Sequence, residues 1–244
     1  MTSLPVVQSF YRYNIDPRLL DAQSRVFDHL GVPLNQDRDD DNSHAGWLTD
    51  LMRRDGDDDE VVVIADIDAF PLSHAAYAGM VARAESGAIA GLAQTTNHLD
   101  PSKIFAAPMF LALKRGVYRS FGSPDLNAYE TGDVAQILTD IAHERGVDVA
   151  LTYPRFALQP IWPLADRGVY GVGTFYGEHE FFHLYFARLA HTVDLFCEVA
   201  DGVIAGRHDW GRYLDILAKA PRPDKKANPI VHNIRKLRQK MRAR

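Results

Sequence analysis

The stretch Val61-Val62-Val63-Ile64-Ala65-Asp66-Ile67-Asp68-Ala69-Phe70 decides how this chain is read. Its first four residues form a β-branched run of the kind found in strands buried on both faces. The run ends in two aspartates at i and i+2. On extended backbone such residues point to one side, about 7 Å apart at Cα. Two like charges held that closely repel unless a cation joins them. A hard divalent ion, Mg²⁺ or Mn²⁺, prefers oxygen ligands and typically takes one or two carboxylates plus substrate phosphates. The carboxyl end of a central strand is also where open α/β sheets bind ligands. The stretch therefore predicts a fully buried strand at 61–65 and a metal-assisted diphosphate site at Asp66 and Asp68.

Outward from this point, apolar β-rich runs alternate with helical patterns. Leu4 to Phe10 reads as a first strand. Asp16-Pro17 supplies a cap and a first-turn proline for a helix that Gly31 ends, with Leu19, Leu20, Gln23, Val26, Phe27 and Leu30 at helical spacing. A second helix is expected over 44–54, a third from Ser73 to about Glu85, strands over 87–94 and 104–114, a helix over 133–145 stopped by Gly146, and a strand over 147–153. The alternation predicts a largely parallel sheet covered by helices. From 154 to 180 the sequence turns Pro-, Gly- and aromatic-rich, which reads as functional loop. Helices are expected to resume across 181–220.

The chain has 244 residues, enough for one sizeable α/β domain or at most two small ones, and its 46% hydrophobic and 24% charged residues are ordinary for a soluble globular protein with a real core. No apolar run approaches the roughly 20 residues that span a bilayer; near the motif the longest is Val61 to Ala65. The opening MTSLPVVQSF lacks the features of a signal peptide. A single cysteine, Cys197, excludes an internal disulfide and a cysteine-based zinc site. A cytoplasmic location is the expectation. The net charge of −5 is uneven. Residues 221–244 carry nine Lys/Arg against Asp224 alone, a balance of +8, which leaves −13 for residues 1–220. So acidic a body argues against nucleic acid as partner.

Three families pair aspartates in this way. Haloacid-dehalogenase-like phosphatases follow the pair with glycine and threonine, where this chain has Ala69 and Phe70. Lesion-bypass polymerases share Asp-x-Asp-Ala-Phe, but that likeness ends at Pro71 and such a polymerase needs a basic surface. The order of elements over roughly residues 4–190 resembles a GT-A glycosyltransferase: a strand at Pro5–Phe10, the hhhhD-x-D strand near residue 65, a strand pair across 87–114, and then an acidic residue opening a helix. The last part is carried by Gly132-Asp133-Val134-Ala135-Gln136-Ile137-Leu138 and by Arg145-Gly146-Val147-Asp148-Val149 to Tyr153-Pro154. It departs from the family pattern at Gly132, where a glutamate is usual.

The resemblance implies an α/β, GT-A-like catalytic domain over 1–220, with a mostly parallel sheet flanked by helices. It implies transfer of a sugar from a nucleotide-sugar donor to a hydroxyl acceptor, with Mn²⁺ or Mg²⁺. Asp68 would bind the metal and Asp66 the ribose or the metal shell; His183, or else His179, would complete the metal site. Asp133 would be the catalytic base. Ser9, Phe10, Tyr11 and Arg12 would contact base and ribose, and His44, opening a helix at Ser43, would face the nucleotide or a phosphate. The acceptor would be a glycan or lipid-linked glycan. Alternatives are a nucleotidyltransferase of similar fold, which usually carries a Gly-rich loop that Gln8 to Arg12 lacks, and a non-catalytic nucleotide- or sugar-binding scaffold.

The remaining features have plainer readings. At the acidic clusters Asp37–Asp41 and Asp55–Glu60, Asn42 and Glu60 stand where an EF-hand loop needs glycine, so both clusters read as solvated loops. Lys114 and Arg115 read as the surface end of a strand. Gly168, Gly171, Gly173 and Gly177 have no Rossmann context and suggest a mobile loop. Trp162, Tyr170 and Tyr176 are candidates for a sugar-stacking wall. Ile230, Ile234, Leu237 and Met241 recur at helical spacing among basic residues, so 221–244 reads as a basic amphipathic tail. It would be suited to an anionic membrane surface through 228–244, or to docking on the acidic body.

Overall fold

The strand that begins at Val61 runs to Asp66 and lies inside a six-stranded sheet. The computed structural model describes residues 4–96 and 100–219, so the basic tail 221–244 and its expected membrane contact lie outside the described residues. In chain order the elements are β1 (Val7–Tyr11), α1 (Pro17–Leu30), β2 (Leu34–Arg38), α2 (His44–Arg53), β3 (Val61–Asp66), β4 (Ala69–Pro71), α3 (His74–Glu85), β5 (Ile89–Thr96), β6 (Asp100–Lys114), α4 (Arg115–Ser120), α5 (Gln136–Arg145), β7 (Val149–Thr152), β8 (Pro154–Pro163), β9 (Val169–Tyr176), β10 (Phe181–Leu184), α6 (Ala190–Ile204) and α7 (Trp210–Ala218).

The large sheet has the order β2-β1-β3-β6-β5-β7. Pairing is parallel for β1 with β2, β1 with β3 and β5 with β7. Only β6 runs the other way, so the sheet is mixed though mostly parallel, where a largely parallel one was expected. The reason is local: β5 and β6 form a long hairpin, and its return strand is inserted beside β3. Strand β3 is covered on both sides, as its β-branched run predicts. Val63 and Ala65 join one apolar cluster with Leu19, Val26 and Phe27 of α1 and Tyr77 and Met80 of α3. Val62 and Ile64 face the other cluster, with Trp47, Leu48 and Met52 of α2 and Leu138 and Ala142 of α5.

The caps follow the expected chemistry. Asp16 accepts from the Arg18 amide at 3.0 Å, Ser43 from Gly46 at 2.9 Å and Ser73 from Ala76 at 3.1 Å. Gly31 and Gly146 end their helices in the left-handed region.

Two expectations fail between 154 and 184. Residues 154–180 are not irregular; they hold the antiparallel pair β8 and β9. Residues 181–184 form strand β10, and helix resumes only at Ala190. A second, four-stranded antiparallel sheet, β4-β10-β9-β8, results. The glycines here admit close backbone rather than mobility: a Cβ on Gly171 would strike the Gln159 carbonyl of the neighbouring strand. Phe70, Phe175, Phe181 and Phe182 place this sheet in the same core as α1 and α6.

Arg115 also differs from its expected surface position. It is buried, forks onto Glu60 through Nε at 2.8 Å and Nη2 at 3.1 Å, and donates to the Leu51 and Met52 carbonyls at 3.0 and 2.9 Å. Thus the Asp55–Glu60 segment is anchored to the end of α2. Arg115→Ala would strand the Met52 carbonyl, at a cost of about 1–3 kcal/mol, while the Leu51 carbonyl keeps the Arg54 amide at 3.4 Å. Chemical denaturation should show a loss of roughly 1–3 kcal/mol; an unchanged midpoint would mean that water replaces the guanidinium without cost.

Candidate metal centre and its cavities

Strand β3 ends in the large sheet and β4 begins in the small one, so Asp66-Ile67-Asp68 is the turn between the two sheets. The buried Gln23 of α1 fixes this turn by donating to the Asp66 and Ala69 carbonyls at 2.8 and 2.9 Å. Its own Oε1 accepts from Gln36 of β2 at 3.0 Å. On the other side the Leu184 amide donates to the Asp68 carbonyl at 2.9 Å, and His183 pairs with Ala69 in register. Antiparallel pairing therefore brings a histidine distant in sequence beside the second aspartate. Ligand atoms of Asp66, Asp68 and His183 all lie within 4.8 Å of one another. His183 Nε2 stands 3.6 Å from Asp68 Oδ1, and its buried Nδ1 has no partner among the described residues.

Next to this group, His44 Nε2 meets Asp66 Oδ1 at 3.1 Å. Burial alone would raise Asp66, but the His44 charge and hydrogen bond outweigh it and hold the carboxyl below its usual range. For Asp68, burial and the Asp66 charge act together and push the carboxyl well above its usual value. Burial brings His183 down to about 4, with Asp66 opposing, so its imidazole is neutral at pH 7. One ionised carboxylate, one carboxyl whose charge lacks compensation and one neutral imidazole are a donor set that fits a divalent cation; the nitrogen favours Mn²⁺ over Mg²⁺.

His44 itself is raised above 6.5. Burial lowers it, but the Asp66 charge and hydrogen bond prevail, helped by Asp133. Its contribution to stability is complete below pH 6.5 and fades as pH rises through the higher folded value. About a third of the side chain is exposed, so solvent screens the effect. An NMR titration of His44 should give a midpoint above 6.5 that drops on Asp66→Asn. An unchanged midpoint would dissolve the pair.

Two cavities meet at the cluster and share His44, Asp66, Asp68 and Phe186. The larger, about 600 Å³, is lined by Phe10, Tyr11, Arg12, Ser43 and Arg188. Four of the expected nucleotide contacts, Phe10, Tyr11, Arg12 and His44, therefore line one space. The Phe10 ring lies against His44 and Trp47, with centroids 5.9 and 5.3 Å apart. Ser9 does not join them: it is fully buried inside β1, flanked by Gln36 and Ala65. The smaller chamber, about 300 Å³, holds Asp133, Gln94, His183 and Tyr185.

Asp133 reaches that chamber because it is not part of the helix. The expected helix over 133–145 begins only at Gln136, after Ala135 in the left-handed region. The Gln136 side chain accepts from the Asp133 amide at 3.0 Å, and Asp133 Oδ1 accepts from Val134 at 2.8 Å. Gly132 is explained as well: a Cβ there would collide with the Tyr129 ring.

Other candidates lie elsewhere. His179 packs on Phe175 and Trp210 and is outside the cluster. Tyr170 and Tyr176 are fully buried and form no sugar wall, while Trp162 packs against Tyr170, Tyr185 and Phe186. Gln23, expected only as part of the apolar stripe of α1, and Arg188, Tyr185 and Phe186, expected nowhere, also belong to the site. Of these only Gln23 had a signal, as a polar residue on the apolar stripe of α1. No helix among the described residues is long and apolar enough to cross a membrane. No protein-family model matches the chain, and no curated protein matches it at significant similarity.

Proposed function

We propose that the protein is a metal-dependent glycosyltransferase that moves a sugar from a nucleotide-sugar donor to a hydroxyl acceptor. The observation that carries the reading is the convergence of Asp66, Asp68 and His183 at the point where a nucleotide-sized cavity meets a smaller chamber. Mn²⁺ or Mg²⁺ held by those three residues would supply positive charge at a departing diphosphate.

The chain's own residues supply the rest. Phe10 and Tyr11 offer aromatic surface to a base in the larger cavity. Arg12 and Arg188 are its cations, and Arg12 Nε is buried without a partner among the described residues. His44 orients Asp66. Asp133 lines the same chamber as the cluster, where it can accept the proton of an incoming hydroxyl. A single displacement with that base inverts the anomeric centre. A nucleotidyltransferase would usually use a glycine-rich loop after β1, and residues 12–16 of this chain contain no glycine.

A thermal-shift panel of UDP-, GDP-, dTDP- and CMP-sugars with and without Mn²⁺ tests the reading. At least one donor should raise the melting point only when metal is present. Stabilisation indifferent to metal would indicate a nucleotide-binding scaffold, and no stabilisation at all would end the proposal.

A further inference from the structure

Resting on the donor reading above, we infer that the 300 Å³ chamber selects an uncharged monosaccharide, with the Tyr185 hydroxyl and the Gln94 amide reading its hydroxyls. The chamber is at the lower limit of ligand cavities, which suits one sugar ring rather than an oligosaccharide.

Its polar wall is specific. Among the described residues the buried Tyr185 hydroxyl has no hydrogen-bond partner and the Gln94 side chain makes no hydrogen bond. Buried polar groups are rarely left unsatisfied, and one carried by a residue that lines a ligand cavity points to the ligand as partner. The Tyr185 ring is fixed before any ligand arrives: it stacks on Tyr170 at 5.4 Å and meets His183 edge-on at 4.6 Å and Trp162 at 5.3 Å. The Tyr185 amide donates to the Val172 carbonyl at 2.7 Å. A hydroxyl held this rigidly loses little entropy in forming a new bond.

Charge sets the class. Asp66, Asp68 and Asp133 line the chamber, and no Lys or Arg does so among the described residues. With Asp66 paired to His44 and Asp68 committed to the metal, a sugar carboxylate would still meet Asp133 with no described Lys or Arg beside it, whereas neutral hydroxyls meet no such repulsion. The arginines lie on the other side of the cluster, in the larger cavity. Diphosphate and sugar are thus sorted by the charge of the two spaces.

The test is calorimetric titration with Mn²⁺ present, on the full chain and on Tyr185→Phe and Gln94→Leu. Bare UDP, GDP and dTDP are compared with their glucose, galactose, mannose and N-acetylglucosamine conjugates and with UDP-glucuronate. One neutral conjugate should bind about tenfold tighter than its bare diphosphate. Tyr185→Phe should erase most of that gain, Gln94→Leu part of it, and neither should change affinity for the bare diphosphate. UDP-glucuronate should bind no tighter than UDP. A gain that survives in both variants, no gain by any neutral conjugate, or an equal gain by the glucuronate overturns the inference while leaving the donor site standing. Failure of every bare diphosphate to bind with Mn²⁺ removes the donor reading, and this one with it.

Discussion

Asp68→Ala is expected to abolish Mn²⁺-dependent donor binding and to lower turnover by roughly 10²–10³, since a Lewis acid at a leaving diphosphate contributes several kcal/mol. The fold itself should survive. Without metal, Asp68 is a buried carboxyl next to the ionised Asp66, and its raised pKa means that its charge costs stability in that state. The sign is therefore opposite to that of an ordinary core truncation. The metal-free variant should melt no lower than the parent at neutral pH, and only the parent should respond to Mn²⁺. Metal at 100 times its Kd stabilises by about 2.7 kcal/mol, which is roughly 5–10 °C for a domain of this size. The same raised pKa predicts that metal-free protein loses stability as pH climbs from 3.8 through the folded value, a slope that Asp68→Asn removes. A variant that still responds to Mn²⁺ would place the cation elsewhere, and with it the whole donor reading.

The strand under this site was legible because two independent signals agree on it. The β-branched run 61–64 has no polar face, and the large sheet gives it apolar neighbours on both sides. Capped helices were legible for the same reason, since Asp16, Ser43 and Ser73 each announce a helix start that the following apolar spacing repeats. The small sheet was not legible. Its strands are built from Pro, Gly and aromatics, which local propensity assigns to loops, and β4 is three residues long. Such strands exist because partners across the sheet hold them, and pairing partners are not written in local sequence. This is also why Tyr185 escaped notice while His183 did not. A histidine near a resemblance can be nominated by chemistry alone. A tyrosine becomes a candidate only when its hydroxyl is seen buried, unpartnered and on a cavity wall. Asp133 lies between these cases: its place in the chain nominated it, but as the opening of a helix, and its freedom to face the chamber comes from the left-handed Ala135, which delays the helix to Gln136.

That freedom gives Asp133→Asn its value as a test. Asparagine keeps an oxygen that can accept the Val134 amide, and the hydrogen bond from the backbone amide of residue 133 to Gln136 does not involve the side chain. The loop and its position on the chamber should therefore be unchanged. What disappears is the capacity to take a proton, and a positioned general base is worth about 10²–10⁴ in rate. Turnover should fall by that factor with affinity for donor and Mn²⁺ intact, the pattern of a residue acting in the transition state rather than in binding. A fall in donor affinity of similar size would instead mean that the Asp133 carboxylate holds the donor sugar in the ground state and is not the base. Full turnover would mean that no base is needed there, and a mechanism that keeps the anomeric configuration would then be the one to pursue.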